Sequence, residues 1–270
     1  MAQNILITTK ISVPYVGFGT YKLTGETCRK AVEDALQIGY RLIDTAQYYK
    51  NEEEVGIAIR NSGLDRDKVF VTTKIFPTDY DRLLTATEES LKRFKMDHVD
   101  LLLLHWPADD EMTKRAIDGL NMALHNGYAG NIGVSNFNIE KLRVALKMAP
   151  VVCNQVEYHP YISQHKLLDF MKKHHMFMTA YSPLAKGKVM KDAVLEKLAL
   201  KYKKNISQVV LRWLLQQGDI TVIPKATATE RITENLNVFD FELSDEDMGV
   251  ISGLSSDDRI TNPAWSPKWD

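Results

Sequence analysis

Residues 41–52 read Arg-Leu-Ile-Asp-Thr-Ala-Gln-Tyr-Tyr-Lys-Asn-Glu, and the interpretation of the whole chain starts from this segment. The apolar pair Leu42 and Ile43 predicts a short buried strand, and the acidic run that begins at Glu52 predicts the start of a helix. Asp44 and Tyr49 therefore follow the carboxyl end of a strand. Taken alone, Asp44 is interpreted as a turn or helix-capping carboxylate.

Two later segments change that interpretation. Residues 69–74 and 99–105 are apolar runs that end in Lys74 and His105. A buried strand rarely ends in an ionisable group without a partner, because an unpaired buried charge is costly. We therefore expect Asp44, Tyr49, Lys74 and His105 to share one site.

The same unit of strand, loop and helix recurs along the chain. Strand-like runs are predicted at 16–21, 42–43, 69–73, 99–104, 131–134, 151–156, 177–181 and 221–223. Helical patterns are predicted at 24–39, 53–61, 81–94, 111–126, 138–148, 163–174, 207–217 and 229–238. Eight strands that alternate with helices predict parallel pairing and a closed (β/α)8 TIM barrel, in which chemistry occurs where the strands end. Residues 5–13 predict a short N-terminal β-hairpin that plugs one end of the barrel.

The composition limits the classes of function. The 270 residues, 44% of them hydrophobic, suit one barrel domain over residues 1–270. Lys plus Arg number 34 against 35 Asp plus Glu, so no basic excess favours nucleic acid or an anionic membrane as a partner. No apolar run approaches the length of a membrane span, and we expect a cytoplasmic monomer that acts on a small molecule. Cys28 and Cys153 have no metal-ligand spacing, so we expect no metal.

The eighth predicted strand leads into a candidate anion site. Lys225 ends that strand, and Arg231 lies in the first turn of the next predicted helix. Free N–H groups and the helix dipole both favour negative charge at such a position. The alternative is a solvated, charged helix start.

Seven motifs, in this order along the chain, resemble the aldo-keto reductase family. They are Asp44–Glu52, Thr73–Lys74, Leu104–Pro107, Gly133–Phe137, Asn154–Gln155, Tyr181–Leu184 and Ile223–Asn235. The segment Leu184–Lys188 and the tail Asp258–Asp270 are most similar to a bacterial branch that contains B-type 2,5-diketo-D-gluconate reductases, whose members also reduce methylglyoxal.

The resemblance implies NADPH-dependent reduction of a carbonyl group. By residue matching, Tyr49 would give a proton to the carbonyl oxygen, and Lys74 would lower the pKa of that phenol. Asp44 would pair with Lys74, and His105 would orient the carbonyl. Hydride addition leaves negative charge on oxygen, so a proton donor and electrostatic support suit this chemistry. Singly, each residue is also compatible with a structural role: a buried tyrosine, a surface lysine or a core histidine.

The resemblance also implies which residues bind NADPH or NADP+. The set is Gly19, Thr20, Ser135, Asn136, Gln155, Tyr181, Ser182, Leu184, Lys225, Thr227, Arg231, Glu234 and Asn235. Ser135, Asn136 and Gln155 would hold the nicotinamide carboxamide. Tyr181 would stack on the ring; without the flanking residues Ser182, Pro183 and Leu184, a core aromatic residue would be the alternative.

The remaining members would hold the rest of the cofactor. Ser182 and Leu184 would lie along the pyrophosphate and ribose, and Glu234 and Asn235 near the adenine. Lys225 and Arg231 would bind the 2′-phosphate. Ala226 departs from the family, which commonly has Ser or Thr there, and this removes a hydroxyl donor. Arg231 can still engage phosphate through its planar fork, so we expect NADPH to be preferred over NADH.

The substrate side is inferred from the same matching. Tyr21, Phe76 and Trp106 would form an aromatic opening around Tyr49 and His105, and core packing is the alternative, chiefly for Phe76. The short connection after Pro107 predicts an open cleft for small polar carbonyl compounds. Lys50 replaces a residue that is usually small, and we expect its side chain to point to solvent.

Two other functions stay open at this point. The first is a non-catalytic NADPH-binding barrel, since a protein can keep the fold and the site residues after it has lost catalytic activity. The second is a barrel hydrolase with paired carboxylates, for which Asp44 and Glu157 are the candidates. The second hypothesis explains neither Lys74 nor the anion site.

Overall fold

The N-terminal hairpin closes one end of the molecule. A computed structural model describes residues 5–7 and 11–270. Strands β1 (Ile5–Ile7) and β2 (Ser12–Pro14) pair antiparallel, and the residues that connect them, 8–10, lie outside the described ranges. Leu6 and Val13 are buried against side chains from inside the barrel, among them Leu101 and Leu103. This confirms the predicted hairpin and its position as a plug.

Eight parallel strands form the barrel. They are β3 (Phe18–Gly19), β4 (Leu42–Asp44), β5 (Phe70–Ile75), β6 (Val99–Leu104), β7 (Ala129–Ser135), β8 (Cys153–Glu157), β9 (Phe177–Tyr181) and β10 (Ile220–Val222). Each strand pairs with its neighbour in chain order. The first and last strands meet through a parallel bridge between Val16 and Val222, where the Gly17 amide donates to the Val222 carbonyl at 2.8 Å. The predicted (β/α)8 barrel is confirmed.

Ten α-helices surround the strands in the part of the chain that the structure describes. They are α1 (Gly25–Ile38), α2 (Glu52–Asn61), α3 (Leu83–Phe94), α4 (Asp110–His125), α5 (Ile139–Met148), α6 (His165–Lys173), α7 (Ala193–Tyr202), α8 (Ile206–Gln216), α9 (Thr229–Leu236) and α10 (Asp245–Ser252). The eight predicted helices are present, with ends shifted by a few residues. No helix within these ranges is long and apolar enough to cross a membrane.

Two helices were not predicted. Helix α7 buries Leu195, Leu198 and Ala199, a spacing that is visible in the sequence. A (β/α)8 barrel needs only one helix between β9 and β10, and the predicted helix 207–217 already took that place. Helix α10 buries only Asp247 and Ile251, so it carries no apolar stripe that a periodicity argument could detect.

Glycine at position 56 allows α2 and α3 to pack closely. A Cβ atom on Gly56 would lie 2.3 Å from the carbonyl oxygen of Phe94, at the last residue of α3. That oxygen also accepts a hydrogen bond from Arg60, so it cannot move away freely. Gly249 in α10, by contrast, has no atom within 4 Å of the same position apart from its chain neighbours and the backbone of its own helix.

We predict opposite effects for two helical Gly→Ala substitutions. Gly56→Ala should lower the free energy of unfolding by about 1–3 kcal/mol because of overpacking. Gly249→Ala, the matched control, should raise it by roughly 0.5–1 kcal/mol because alanine favours the helix. Urea unfolding of both variants measures the difference. Equal effects of the two substitutions would contradict the close packing of α2 on α3.

Candidate active site

A buried ion pair lies where the second and third barrel strands end. Lys74 Nζ, on β5, is 2.6 Å from Asp44 Oδ1, at the end of β4, and also donates to the Thr45 carbonyl at 2.7 Å. The second carboxylate oxygen of Asp44 accepts from Gln155 Nε2 at 2.7 Å. Both charged side chains are buried. Asp44 is therefore a partner of Lys74 and not a helix cap, as the shared-site hypothesis predicted.

Burial opposes the charge on both members of the pair. It raises the pKa of Asp44 and lowers the pKa of Lys74, because each charged form loses its hydration. The attraction between the two groups and the hydrogen bond from Gln155 counteract this effect. Loss of either partner would leave the other charge buried without compensation.

Tyr49 lies directly above this pair. It ends a short 3₁₀ helix, Gln47–Tyr49, that Lys50 terminates in a left-handed conformation. Lys74 Nζ is 5.0 Å from the centre of the Tyr49 ring. The ring is half-buried, and the side chain of Lys50 is exposed, as expected.

The direction of the Tyr49 pKa differs from the expectation. The matching implies that Lys74 lowers this pKa, whereas the pKa lies well above its usual value. Burial is the main cause, and the negative charge of Asp44 adds to it. The phenol therefore keeps its proton at neutral pH. The raised pKa also makes release of the proton harder, and Lys74, 5.0 Å from the ring centre, is the positive charge that would favour that release.

His105 completes the group. It follows β6, and its ring meets the Tyr49 ring edge-on with 5.6 Å between the ring centres. Burial lowers the pKa of His105 well below its usual value, and the charge of Lys74 adds to that shift. The imidazole is therefore neutral. Its Nδ1 atom is buried and has no hydrogen-bond partner among the described residues, so the ring retains a group that a ligand could satisfy.

Aromatic side chains line the opening above these residues. The Tyr21 and Tyr49 rings lie 4.9 Å apart, and Tyr21 is half exposed. Phe76 stacks on Tyr48 with 4.5 Å between ring centres, and its ring also meets His105 edge-on. Tyr48 was not predicted as a site residue, although it stands next to Tyr49 in the motif. Trp106 is buried.

Four of the residues predicted to hold the nicotinamide form one hydrogen-bond network. Ser135 Oγ donates to the Gln155 carbonyl at 2.8 Å, and Asn136 Nδ2 donates to Ser135 Oγ at 3.1 Å and to the His105 carbonyl at 3.0 Å. The Tyr181 hydroxyl donates to Asn136 Oδ1 at 2.9 Å. Since Gln155 also binds Asp44, this network continues into the buried ion pair. The sequence did not reveal that link.

The other predicted cofactor residues lie at the same end of the barrel. Thr20 Oγ1 donates to the Asp44 carbonyl at 3.0 Å, and Gly19 leaves no room for a side chain because a Cβ atom would lie 2.7 Å from the Ile223 carbonyl oxygen. Ser182 and Leu184 are half-buried in the loop after β9.

The candidate anion site is exposed at the start of α9. Lys225, Thr227, Arg231 and Glu234 are exposed, whereas Asn235 is buried. Lys225 and Arg231 have no ion-pair partner among the described residues, so their charges are available to a ligand.

Glu157 does not form a carboxylate pair with Asp44. Its Oε1 is 2.8 Å from His159 Nε2 and accepts from the Ile260 amide at 2.7 Å, and its Oε2 accepts from the Thr261 amide at 2.7 Å. Burial alone would raise the pKa of Glu157, but these hydrogen bonds outweigh it and lower the pKa. Glu157 thus anchors the C-terminal segment, a role that the sequence did not reveal. Both carboxylates are committed to other partners, so the hydrolase hypothesis loses its basis.

Comparisons with known proteins show which family the sequence resembles along most of its length. The sequence profile described as "Aldo/keto reductase family" matches residues 15–256. The chain is 42% identical to the glyoxal reductase of Bacillus subtilis (strain 168), over 96% of this chain and 95% of the relative. It is 37% identical to the methylglyoxal reductase DkgB of Escherichia coli O157:H7, over 96% and 100% of the two chains.

Solved structures agree as well. A crystal structure of a provisionally named 2,5-diketo-D-gluconic acid reductase B superposes with a TM-score of 0.96 at 39% identity, covering 100% of this chain and 98% of the other. The aldose reductase from Schistosoma japonicum gives a TM-score of 0.89 at 30% identity, covering 97% and 96%.

We predict that His105 makes stability depend on pH. Below about pH 6.5 the unfolded chain protonates this histidine, whereas the folded protein keeps it neutral because its pKa is depressed. The unfolded state then binds more protons, so stability is lost as the pH falls from 6.5 towards the folded pKa, by up to about 1.4 kcal/mol per pH unit. Urea unfolding at pH 7.5, 6.5 and 5.5 should give a shallower pH dependence for His105→Asn than for the wild type. The same dependence in both proteins would show that folding does not shift the pKa of His105, and would contradict the prediction.

Proposed function

The chain belongs to the aldo/keto reductase family, and on this premise we propose that it reduces small polar aldehydes and ketones to alcohols with NADPH as the hydride donor. The observation that carries the proposal is the placement of Tyr49. Its protonated phenol lies 5.0 Å above a buried lysine and beside a neutral histidine that has a free ring nitrogen. Membership of the family makes the chain an oxidoreductase that uses a nicotinamide cofactor.

The residues divide the work of carbonyl reduction between them. The bound cofactor supplies hydride to the carbonyl carbon. Tyr49 gives its phenolic proton to the carbonyl oxygen, so that the O–H bond of the phenol breaks as the O–H bond of the alcohol forms. The Lys74 charge stabilises the resulting phenolate, and a proton from solvent then restores the half-buried phenol. The Lys74 charge lies where negative charge develops. In a site with little water, such a fixed charge stabilises the transition state more than it would in bulk water.

His105 positions the substrate in this scheme. A neutral imidazole has one N–H donor and one acceptor nitrogen. Its low pKa keeps it in that form, so it can donate a hydrogen bond to the carbonyl oxygen without competing with Tyr49 as the acid. Asp44 holds Lys74 in place and in its charged form.

The donor set of the chain suits a phosphorylated dinucleotide. Ser135, Asn136 and Gln155 form a hydrogen-bonded group with Tyr181, and we propose that the carboxamide and the flat ring of the cofactor bind there by exchanging some of these bonds. Lys225 and Arg231 provide two exposed cations at the start of α9 for the 2′-phosphate. Because Ala226 lacks a hydroxyl group, Arg231 would carry most of the discrimination between NADPH and NADH.

Small dicarbonyl compounds are the proposed substrates. The connection between Pro107 and α4 is short, and the aromatic opening is partly exposed at Tyr21. Relatives that cover nearly the whole chain are named as reductases of glyoxal and methylglyoxal. We therefore propose methylglyoxal and 2,5-diketo-D-gluconate as the first substrates to test.

Turnover across a small carbonyl panel tests the function. The purified protein should oxidise NADPH with methylglyoxal, glyceraldehyde, an aromatic aldehyde or 2,5-diketo-D-gluconate, and more slowly with NADH. Absence of turnover with every compound, together with measurable NADPH binding, would favour the non-catalytic alternative.

We predict that Tyr49→Phe loses most turnover and keeps cofactor binding. The substitution removes the proton donor and leaves the ring, so kcat should fall by at least about 100-fold, the usual contribution of a general acid. NADPH binding, measured by quenching of protein fluorescence, should change little. Activity comparable to the wild type would exclude Tyr49 as the donor. Tyr48→Phe, which changes the neighbouring exposed tyrosine in the same way, is the matched control.

We predict that Arg231→Ala weakens NADPH binding selectively. The loss of a charge-assisted contact should raise the dissociation constant of NADPH by about tenfold or more, and that of NADH much less. Arg115→Ala, at an exposed arginine of α4, serves as the control for a change in net charge. An equal rise for both nucleotides would remove the 2′-phosphate role from Arg231.

A further inference from the structure

The C-terminal segment 255–270, called the tail here, lies across the barrel end that carries the candidate site. The Ser256 and Asp258 amides donate to the Tyr161 carbonyl at 3.2 and 3.1 Å. Glu157 holds the amides of residues 260 and 261. At the other end, Asn138 Nδ2 donates to the Lys268 carbonyl at 2.9 Å. The tail is therefore fixed on both sides, and the side chains between these anchors have defined positions.

Arg259 is the cation that the tail brings to the site. The carbon of its guanidinium group lies 3.7 Å from the centre of the Trp269 ring. The Trp269 indole N–H donates to Asn262 Oδ1 at 3.0 Å, and its ring meets Trp106 edge-on with 6.3 Å between centres. Trp106 directly follows His105. The guanidinium is thus held against Trp269, whose ring in turn meets Trp106.

The Arg259 guanidinium has the Trp269 ring as a partner but forms no ion pair with the described residues. Its Nη1 atom is buried and has no hydrogen-bond partner among the described residues. The nearby carboxylate of Glu157 is already occupied by His159 and by two amides of the tail. Arg66 and Arg29 also have one buried nitrogen without a partner, but their other nitrogens bind Asp100 and Glu26. No ion pair of this kind joins Arg259 to the described residues.

The charge of Arg259 acts on Tyr181, the residue predicted to stack on the nicotinamide ring. Burial raises the pKa of Tyr181 and Glu157 adds to that shift, whereas the Arg259 charge opposes it. Burial lowers the pKa of Arg259 itself, and Glu157 and Tyr181 partly compensate. A guanidinium in such surroundings gains more from an anionic ligand than one in water would.

We infer that Arg259, stacked on Trp269, is a subsite for a carboxylate group of the carbonyl substrate. The inference rests on the proposed reductase function and names the residue that would bind the carboxylate of acidic carbonyl substrates and so favour them over neutral ones. The Arg259 guanidinium lies 3.7 Å from the Trp269 ring centre, and its unpaired N–H groups are of the kind that can hold a carboxylate through two hydrogen bonds. The substrate is the favoured source of the anion because Trp269 contacts Trp106 on the substrate side. The cations expected to bind the cofactor's 2′-phosphate, Lys225 and Arg231, lie at the start of α9.

A matched pair of substrates tests this subsite. Succinic semialdehyde and its methyl ester have the same aldehyde and differ in the charge at the far end. For Arg259→Gln, the ratio of kcat/KM for the acid to kcat/KM for the ester should fall by about tenfold or more, mainly through KM of the acid. Arg259→Lys keeps the charge but loses the planar fork, so its ratio should lie between those of the wild type and Arg259→Gln.

The control variant changes the tail elsewhere. Lys188 forms an ion pair with Asp258, next to Arg259 in sequence. Lys188→Gln therefore removes a contact between the tail and the barrel and should leave the ratio unchanged. An equal loss for acid and ester in Arg259→Gln, with unchanged NADPH binding, would show that Arg259 only supports the tail. An equal loss with a raised NADPH dissociation constant would assign the anion to the cofactor. Either result overturns the inference.

A binding measurement separates the inference from the proposed function. Calorimetric titration with D-gluconate, which carries a carboxylate but no carbonyl group, should show binding to the wild-type protein with NADP+ and weaker binding, by about tenfold, to Arg259→Gln. If neither aldehyde is turned over but this difference is present, the anion subsite stands and the reductase function fails. If both aldehydes are turned over with equal ratios in wild type and variant, the reductase function stands and the subsite fails.

Discussion

The Asp44–Lys74 ion pair is the interaction on which the candidate site depends. Parallel neighbouring strands bring the two side chains together at 2.6 Å, where neither is reached by solvent. The removal of two charges from water costs several kcal/mol for each ion, and their attraction repays this only when the remaining hydrogen-bonding groups are satisfied. The Thr45 carbonyl and the Gln155 amide satisfy them. The pair therefore requires strands β4, β5 and β8 to be in register. Tyr49 lies above the pair.

The pair also sets the charge states around it. Asp44 helps to keep Tyr49 protonated, and Lys74 helps to keep His105 neutral. Burial acts in the same direction in both cases, because each charged form would lose its hydration. The site thus holds an acid with its proton in place and a neutral hydrogen-bond donor. These are the states that carbonyl reduction requires before the reaction begins.

The tail completes the end of the barrel that carries the site. Strand ends alone would leave the rings of Trp106 and Tyr181 more open, and the tail brings Arg259, Thr261 and Trp269 to them. The buried Glu157 carboxylate, at the end of β8, binds two backbone amides of the tail. The tail is therefore anchored at the same end of the barrel as the site. Substrate specificity can then change through tail residues without any change in the residues around the ion pair.

The sequence by itself determined the barrel, the hairpin and the clustering of Asp44, Tyr49, Lys74 and His105. These features follow from local periodicity and from the rule that parallel strands end on one face, so short segments are enough to predict them. Only the tertiary structure decided which atoms meet. Gln155 reaches Asp44 across 111 residues, and Glu157 reaches Ile260 across 103. Such contacts depend on barrel closure and on the path of the tail, for which no local pattern exists. The Tyr49 pKa was decided in the same way, because the burial that raises it exists only after the chain has folded.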